Sequence, residues 1–155
     1  MIHQAIPKIT DFGAGKEIGL TTSHKNGVMG AICYLDPQRC GDRKFNENYE
    51  LQKPSDVYSL GVIFWQIFSG RNPFEHETRD MYLFEDIRTG KREIAPSHTP
   101  KRFVQLYETC WHSDPNSRLT IAEVVKRIDA ILENKTMQNG IYDHLISFLV
   151  TVNVF

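Results

Sequence analysis

Between Ser55 and Ser69 apolar side chains run almost all the way round a helix. Val57, Leu60, Phe64, Ile67 and Phe68 share one face, and Tyr58, Val62, Ile63 and Trp65 fill much of the rest. This pattern predicts a helix buried on nearly every side, started by Ser55 or Asp56 and stopped by Gly70, and so the hub of the fold. Shorter amphipathic stretches follow. Asp80 to Thr89 closes on Gly90, and the stretch after Thr99-Pro100 sets Phe103, Leu106, Tyr107, Cys110 and Trp111 on one face. Thr120 and Glu123 form a capping box ahead of Ile121, Val124, Val125, Ile128, Ile131 and Leu132. Each predicts a helix.

The first part of the chain is patterned differently. Ile2, Ile6 and Ile9 flank polar His3 and Gln4, which predicts a short hairpin whose second strand runs into Asp11. From Gly13 to Gly30 there are five glycines and several hydroxyl residues, too polar for a core element, so one long functional loop is expected. It ends at Asp36-Pro37, an N-cap followed by a proline at the first helical position. The fold class is therefore mainly α, with a short N-terminal β-hairpin. Beyond Asn134 the character changes again: Leu145 to Phe155 is apolar and β-branched, yet much shorter than the ~20 residues of a membrane span. Residues 135–155 are read as a tail without an assigned role.

Composition narrows the classes. With 155 residues, 41% hydrophobic and 24% charged, the chain suits one globular domain with one core. A net charge of −1 with mixed signs leaves no basic stripe for nucleic acid. Met1 to Pro7 has no secretory pattern, and Cys33, Cys40 and Cys110 lack the spacing of a disulfide framework or a zinc site. A cytoplasmic chain without membrane or nucleic-acid partners is expected, and the six histidines read as structural or solvated.

Candidate chemistry lies in four motifs. Asp11-Phe12-Gly13 follows the predicted strand; Gly30-Ala31-Ile32-Cys33-Tyr34-Leu35-Asp36-Pro37-Gln38 ends the loop; Asp56-Val57-Tyr58-Ser59-Leu60-Gly61-Val62 opens the hub helix; and Cys110-Trp111-His112-Ser113-Asp114-Pro115-Asn116-Ser117-Arg118 follows the third helix. Alone, Asp11-Phe12-Gly13 reads as an ordinary turn. In this order and spacing the four resemble the D-F-G, G-T-x-x-Y-x-A-P-E, D-V-Y-S-x-G-V and C-W-x-x-D-P-x-x-R elements of protein kinases, nearest the tyrosine-kinase-like group. The resemblance covers residues 1–134 and implies the C-terminal lobe of the kinase fold, with an activation segment at about 11–38.

The resemblance implies roles for particular residues. Asp11 would hold Mg²⁺ on the phosphates of ATP in a complete domain, with Phe12 packed beneath the nucleotide and Gly13 giving Asp11 room to swing. Thr21, Thr22 and Ser23 are candidates for activation-loop phosphorylation, although exposed hydroxyls in a polar loop are ordinary. Asp56 would accept N–H bonds from the catalytic loop, and otherwise caps its helix. Arg118 would pair with the glutamate of A-P-E, but that position is Gln38, which leaves the guanidinium without its usual counter-charge and makes Gln38→Glu an expected stabilising change. Asp36 lies close enough in sequence to substitute. Ala31 also departs from the pattern, standing where serine/threonine kinases usually carry Thr.

These residues include no G-x-G-x-x-G loop, no V-A-I-K lysine and no H-R-D catalytic loop, so no catalytic residue is assigned. The expectation is a stretch of a kinase that transfers the γ-phosphate of ATP to protein Ser, Thr or Tyr when complete, and that by itself is inactive and binds neither ATP nor Mg²⁺. The alternative is a pseudokinase-like module that docks other proteins. Either way, the partners are protein substrates or docking proteins. In the family other elements cover the hub helix, so Asp56 and the apolar surface around Trp65 are expected to lack partners here.

Overall fold

The computed structural model describes residues 2–3, 6–7, 29–41, 44–45 and 53–133. Its architecture is mainly helical. Helices α1 (Lys53–Ser69), α2 (Met81–Arg88), α3 (Lys101–Cys110) and α4 (Ile121–Leu132) form the body. Two antiparallel strand pairs are minimal: β1 (Ile2–His3) with β2 (Ile6–Pro7), and β3 (Cys40–Gly41) with β4 (Lys44–Phe45). Continuation of β2 towards Asp11, and residues 134–155, lie outside the described residues.

Helix α1 is the hub, as its all-round apolar pattern requires. Val57, Tyr58, Val62, Phe64, Trp65 and Phe68 are all buried. It packs most extensively on α3, where Gly61 lets the backbones close in: a Cβ there would sit 2.9 Å from the Cys110 Cβ and 3.0 Å from the Tyr107 carbonyl oxygen. The helix begins two residues before Ser55, because Pro54 fits a first helical turn where no N–H is required. Asp56 therefore lies inside the helix rather than capping it. At the other end Gly70 takes φ +65°, and its N–H meets the Gln66 carbonyl at 2.9 Å.

The surface around Trp65 departs from expectation. Trp65 is 1% exposed, its indole N–H donates to the Ile94 carbonyl at 3.0 Å, and the Arg71 guanidinium lies 5.7 Å from the ring centre. The extended segment between α2 and α3 covers this side of α1, a contact that hydrophobic periodicity does not encode.

The remaining helices are set by their ends. The Asp80 carboxylate caps α2, accepting the N–H groups of Tyr82 and Leu83 at 2.9 and 3.0 Å. Pro100 opens α3 without a side-chain cap, and Phe103, Leu106, Tyr107 and Cys110 face the core. The capping box of α4 is formed: Glu123 accepts the Thr120 N–H at 2.8 Å, and the Thr120 hydroxyl accepts the Glu123 N–H at 3.3 Å. Its buried stripe is Val124, Ile128 and Ile131, while Val125 points outward. Among the described residues no helix is long and apolar enough to cross a membrane.

Candidate functional site

A buried polar cluster gathers where the segment before α1 meets the turn after α3. Residues Met29–Tyr34 form a 3-10 helix, a second spans Pro37–Arg39, and a third, Pro115–Ser117, carries the chain into α4. Asp36 heads the second one: its Oδ1 accepts the Gln38 N–H at 2.9 Å, the role expected of an N-cap. The same carboxylate also does something larger.

Arg118 reaches Asp36 with a two-pronged contact, Nη1 to Oδ2 at 2.7 Å and Nη2 to Oδ1 at 2.9 Å, with both side chains shut away from solvent. The other guanidinium donors meet the His112, Pro54 and Ser113 carbonyls at 2.8, 2.9 and 3.4 Å. The Ser55 hydroxyl, in the first turn of α1, donates to Asp36 Oδ2 at 2.8 Å. Burial alone would raise the Asp36 carboxyl, but hydrogen bonds from Arg118, the Gln38 N–H and Ser55, with the Arg118 charge, hold it below the usual carboxylate range. One ion pair thus ties three pieces of chain together.

This geometry corrects the reading of Gln38. Arg118 does not lack a counter-charge, because Asp36 supplies it. The Gln38 side chain instead turns to the Ser113 carbonyl, donating from Nε2 at 3.1 Å. An amide suits that contact, since a carboxylate has no hydrogen to give.

Two further residues join the cluster in a way the sequence did not signal. The buried ring of Tyr58 has two guanidinium groups near it, with the Arg92 Cζ 5.4 Å and the Arg118 Cζ 5.2 Å from its centre. Burial pushes the Tyr58 phenol up to about 12. Arg92 binds neighbouring carbonyls rather than a carboxylate, and burial lowers its pKa. Neither contact follows from periodicity, because both depend on how α1, α2 and the turn after α3 converge.

The other sequence candidates are distributed as follows. Asp56 is exposed, accepts no hydrogen bond among the described residues, and has its carboxyl raised by partial desolvation where it lies against neighbouring protein. Asp11, Phe12, Gly13, Thr21, Thr22 and Ser23 lie outside the described residues. Cys33 and Cys110 are free and buried, and burial pushes the Cys110 thiol up to about 12, a setting for inert rather than reactive sulfur. Among the described residues no three His, Cys, Asp or Glu side chains gather as a metal site.

The protein kinase domain model matches residues 1–128. The chain belongs to the protein kinase domain family. It is 30% identical over 148 residues to the dog (Canis lupus familiaris) mast/stem cell growth factor receptor Kit, covering 94% of this chain and 14% of that receptor. Mouse (Mus musculus) vascular endothelial growth factor receptor 2 is 31% identical over 138 residues, covering 87% of this chain and 10% of the receptor. Mouse receptor-interacting serine/threonine-protein kinase 4 is 30% identical over 137 residues, with 81% and 17% covered. The kinase-like chain therefore spans less than a fifth of the length of each of these relatives.

Proposed function

We propose that these residues form the C-terminal lobe of a protein kinase domain of the tyrosine-kinase-like group, whose complete form transfers the γ-phosphate of ATP to Ser, Thr or Tyr of protein substrates. The Asp36–Arg118 pair carries the reading. It fastens the end of the proposed activation segment, about residues 11–38, to the turn before α4, so the far end of that segment is fixed. Phosphoryl transfer depends mainly on positioning and charge stabilisation, and a substrate-binding segment needs such an anchor. Among the relatives' names, two growth factor receptors and a receptor-interacting serine/threonine-protein kinase, the last supports a kinase reading.

In that complete domain Asp11 would offer a carboxylate oxygen to Mg²⁺, Phe12 and Gly13 would shape its surroundings, and Thr21, Thr22 and Ser23 are the phosphorylation candidates. Within these residues Asp11 is a single candidate ligand, where Mg²⁺ takes an octahedron of oxygens. The metal and nucleotide thus belong to the complete domain. Asp56, exposed and without a hydrogen bond among the described residues, fits a role as acceptor for the catalytic-loop backbone. A cytoplasmic setting and protein partners accompany this reading.

The second reading, a docking module without catalysis, is separated by the sequence encoded ahead of residue 1. A Gly-rich loop, a strand lysine and H-R-D there, with Mg·ATP-dependent phosphate transfer abolished by Asp11→Ala in the extended protein, support the kinase. An upstream sequence with none of the three overturns it in favour of the docking module.

A further inference from the structure

Arg92 lies in an irregular segment between α2 and α3, yet its guanidinium uses all five donors. Nη1 meets the Ile87 and Lys91 carbonyls, both at 2.7 Å; Nε and Nη2 meet the Trp111 carbonyl at 3.1 and 2.9 Å; and Nη2 also meets the Ser113 hydroxyl at 3.1 Å. The end of α2 is thereby bolted to the turn after α3. That turn holds the anchor: the Ser113 carbonyl receives both Gln38 and Arg118, and the His112 carbonyl receives the Arg118 Nε. The two guanidinium groups both lie against the Tyr58 ring, 5.4 and 5.2 Å from its centre, so two like charges sit close together, of which only Arg118 has a carboxylate among the described residues.

We propose that Arg92 is a positioning residue of the activation-segment anchor: by holding the Trp111 carbonyl and the Ser113 hydroxyl it fixes the carbonyls on which Arg118 and Gln38 close. The inference rests on the proposed kinase reading only for the segment's purpose. Arg92 touches neither Asp36 nor a reacting group. A planar fork is required, because one flat group must span two backbone segments at once; an ammonium keeps the charge but not the span.

The test is NMR on the full 155-residue chain, reading the Arg118 Nε–H exchange rate and the Gln38 side-chain amide shifts, with the α4 amides as an internal reference. In Arg92→Ala the Arg118 Nε–H is expected to exchange about tenfold faster or more and the Gln38 amide to move towards its free-solution position, while α4 protection is unchanged, the signature of local rather than global opening. Arg92→Lys is expected to behave like Arg92→Ala. Ser113→Ala, which removes one contact only and spares the fold should Arg92→Ala fail to form, is expected to shift the same two signals less. The proposal is overturned if Arg92→Lys restores native exchange, if both signals stay native in Ser113→Ala and Arg92→Lys, or if α4 loses protection in step with Arg118. None of these readings depends on activity, so their failure leaves the kinase reading standing, and an upstream sequence without kinase motifs leaves them standing.

Discussion

Arg118 and Asp36 lie 82 residues apart in sequence and meet through two parallel hydrogen bonds of 2.7 and 2.9 Å, with no water access to either side chain. Removing one partner of such a pair strands the other charge. Asp36→Asn is therefore expected to cost about 3–5 kcal/mol of folding free energy, the range for an uncompensated buried charge. Arg118→Lys should lose a large part of the same, since one ammonium cannot serve Asp36 and three carbonyls together. Urea unfolding followed by circular dichroism checks both; midpoints within experimental error of the wild type would show that the pair is not closed in solution.

The same pair sets an acid limit. The folded Asp36 carboxyl lies below its ordinary value, so the unfolded chain binds its proton first as the pH falls. This contribution to stability is complete above the unfolded value of about 3.9 and is lost as the pH drops from there through the lower folded value. Unfolding free energies measured from pH 6 downward should fall across that window, and the fall should be shallower in Asp36→Asn. Equal slopes in the two proteins would place the acid sensitivity elsewhere.

Gln38→Glu is expected to leave the melting temperature unchanged or lower it. The counter-charge it would bring is already present in Asp36, and the new carboxylate gives up the donor that meets the Ser113 carbonyl. The cost is at most about 1 kcal/mol, that of one exposed hydrogen bond. A clear rise in melting temperature by scanning calorimetry would mean that Arg118 takes a second carboxylate.

The helices were legible in the sequence because their signals are local. The apolar girdle of α1, the Asp80 cap and the Thr120–Glu123 box each act within a few residues, and α2 and α4 begin where those caps stand. Asp36 shows the limit. Its capping role is local and could be read, while its pairing with Arg118 depends on two turns converging in space, and a family pattern pointed to Gln38 for that duty. Trp65 shows a second limit: its cover, the backbone at Ile94, belongs to a segment without periodicity. Arg92 and the meeting of two guanidinium groups at the Tyr58 ring were illegible for the same reason.

Gly61 tests the closest approach in the core. A methyl group there would stand 2.9 Å from the Cys110 Cβ and 3.0 Å from both the Trp111 nitrogen and the Tyr107 carbonyl oxygen. Two of these three neighbours are backbone atoms, which cannot swing aside as a side-chain tip can. Helix propensity favours Ala over Gly by up to ~1 kcal/mol, so the two effects oppose each other. Overpacking costs about 1–3 kcal/mol and should win, making Gly61→Ala destabilising. A raised urea midpoint would show that α1 and α3 sit farther apart.

The 155-residue chain by itself is expected to show no saturable binding of Mg·ATP in the micromolar range and no phosphate transfer. Asp11 is one carboxylate, and neither a Gly-rich loop, nor a strand lysine, nor the catalytic-loop asparagine stands among these residues to share the phosphates and the metal. Charge alone is a poor substitute, because a single carboxylate meets Mg²⁺ through its firmly held water. Titration calorimetry of the wild type and Asp11→Ala is therefore expected to give the same featureless heats of dilution. A binding isotherm present in the wild type and absent from Asp11→Ala would show that a nucleotide site assembles from residue 11 onward, and the proposal that nucleotide and metal belong to the complete domain would be wrong.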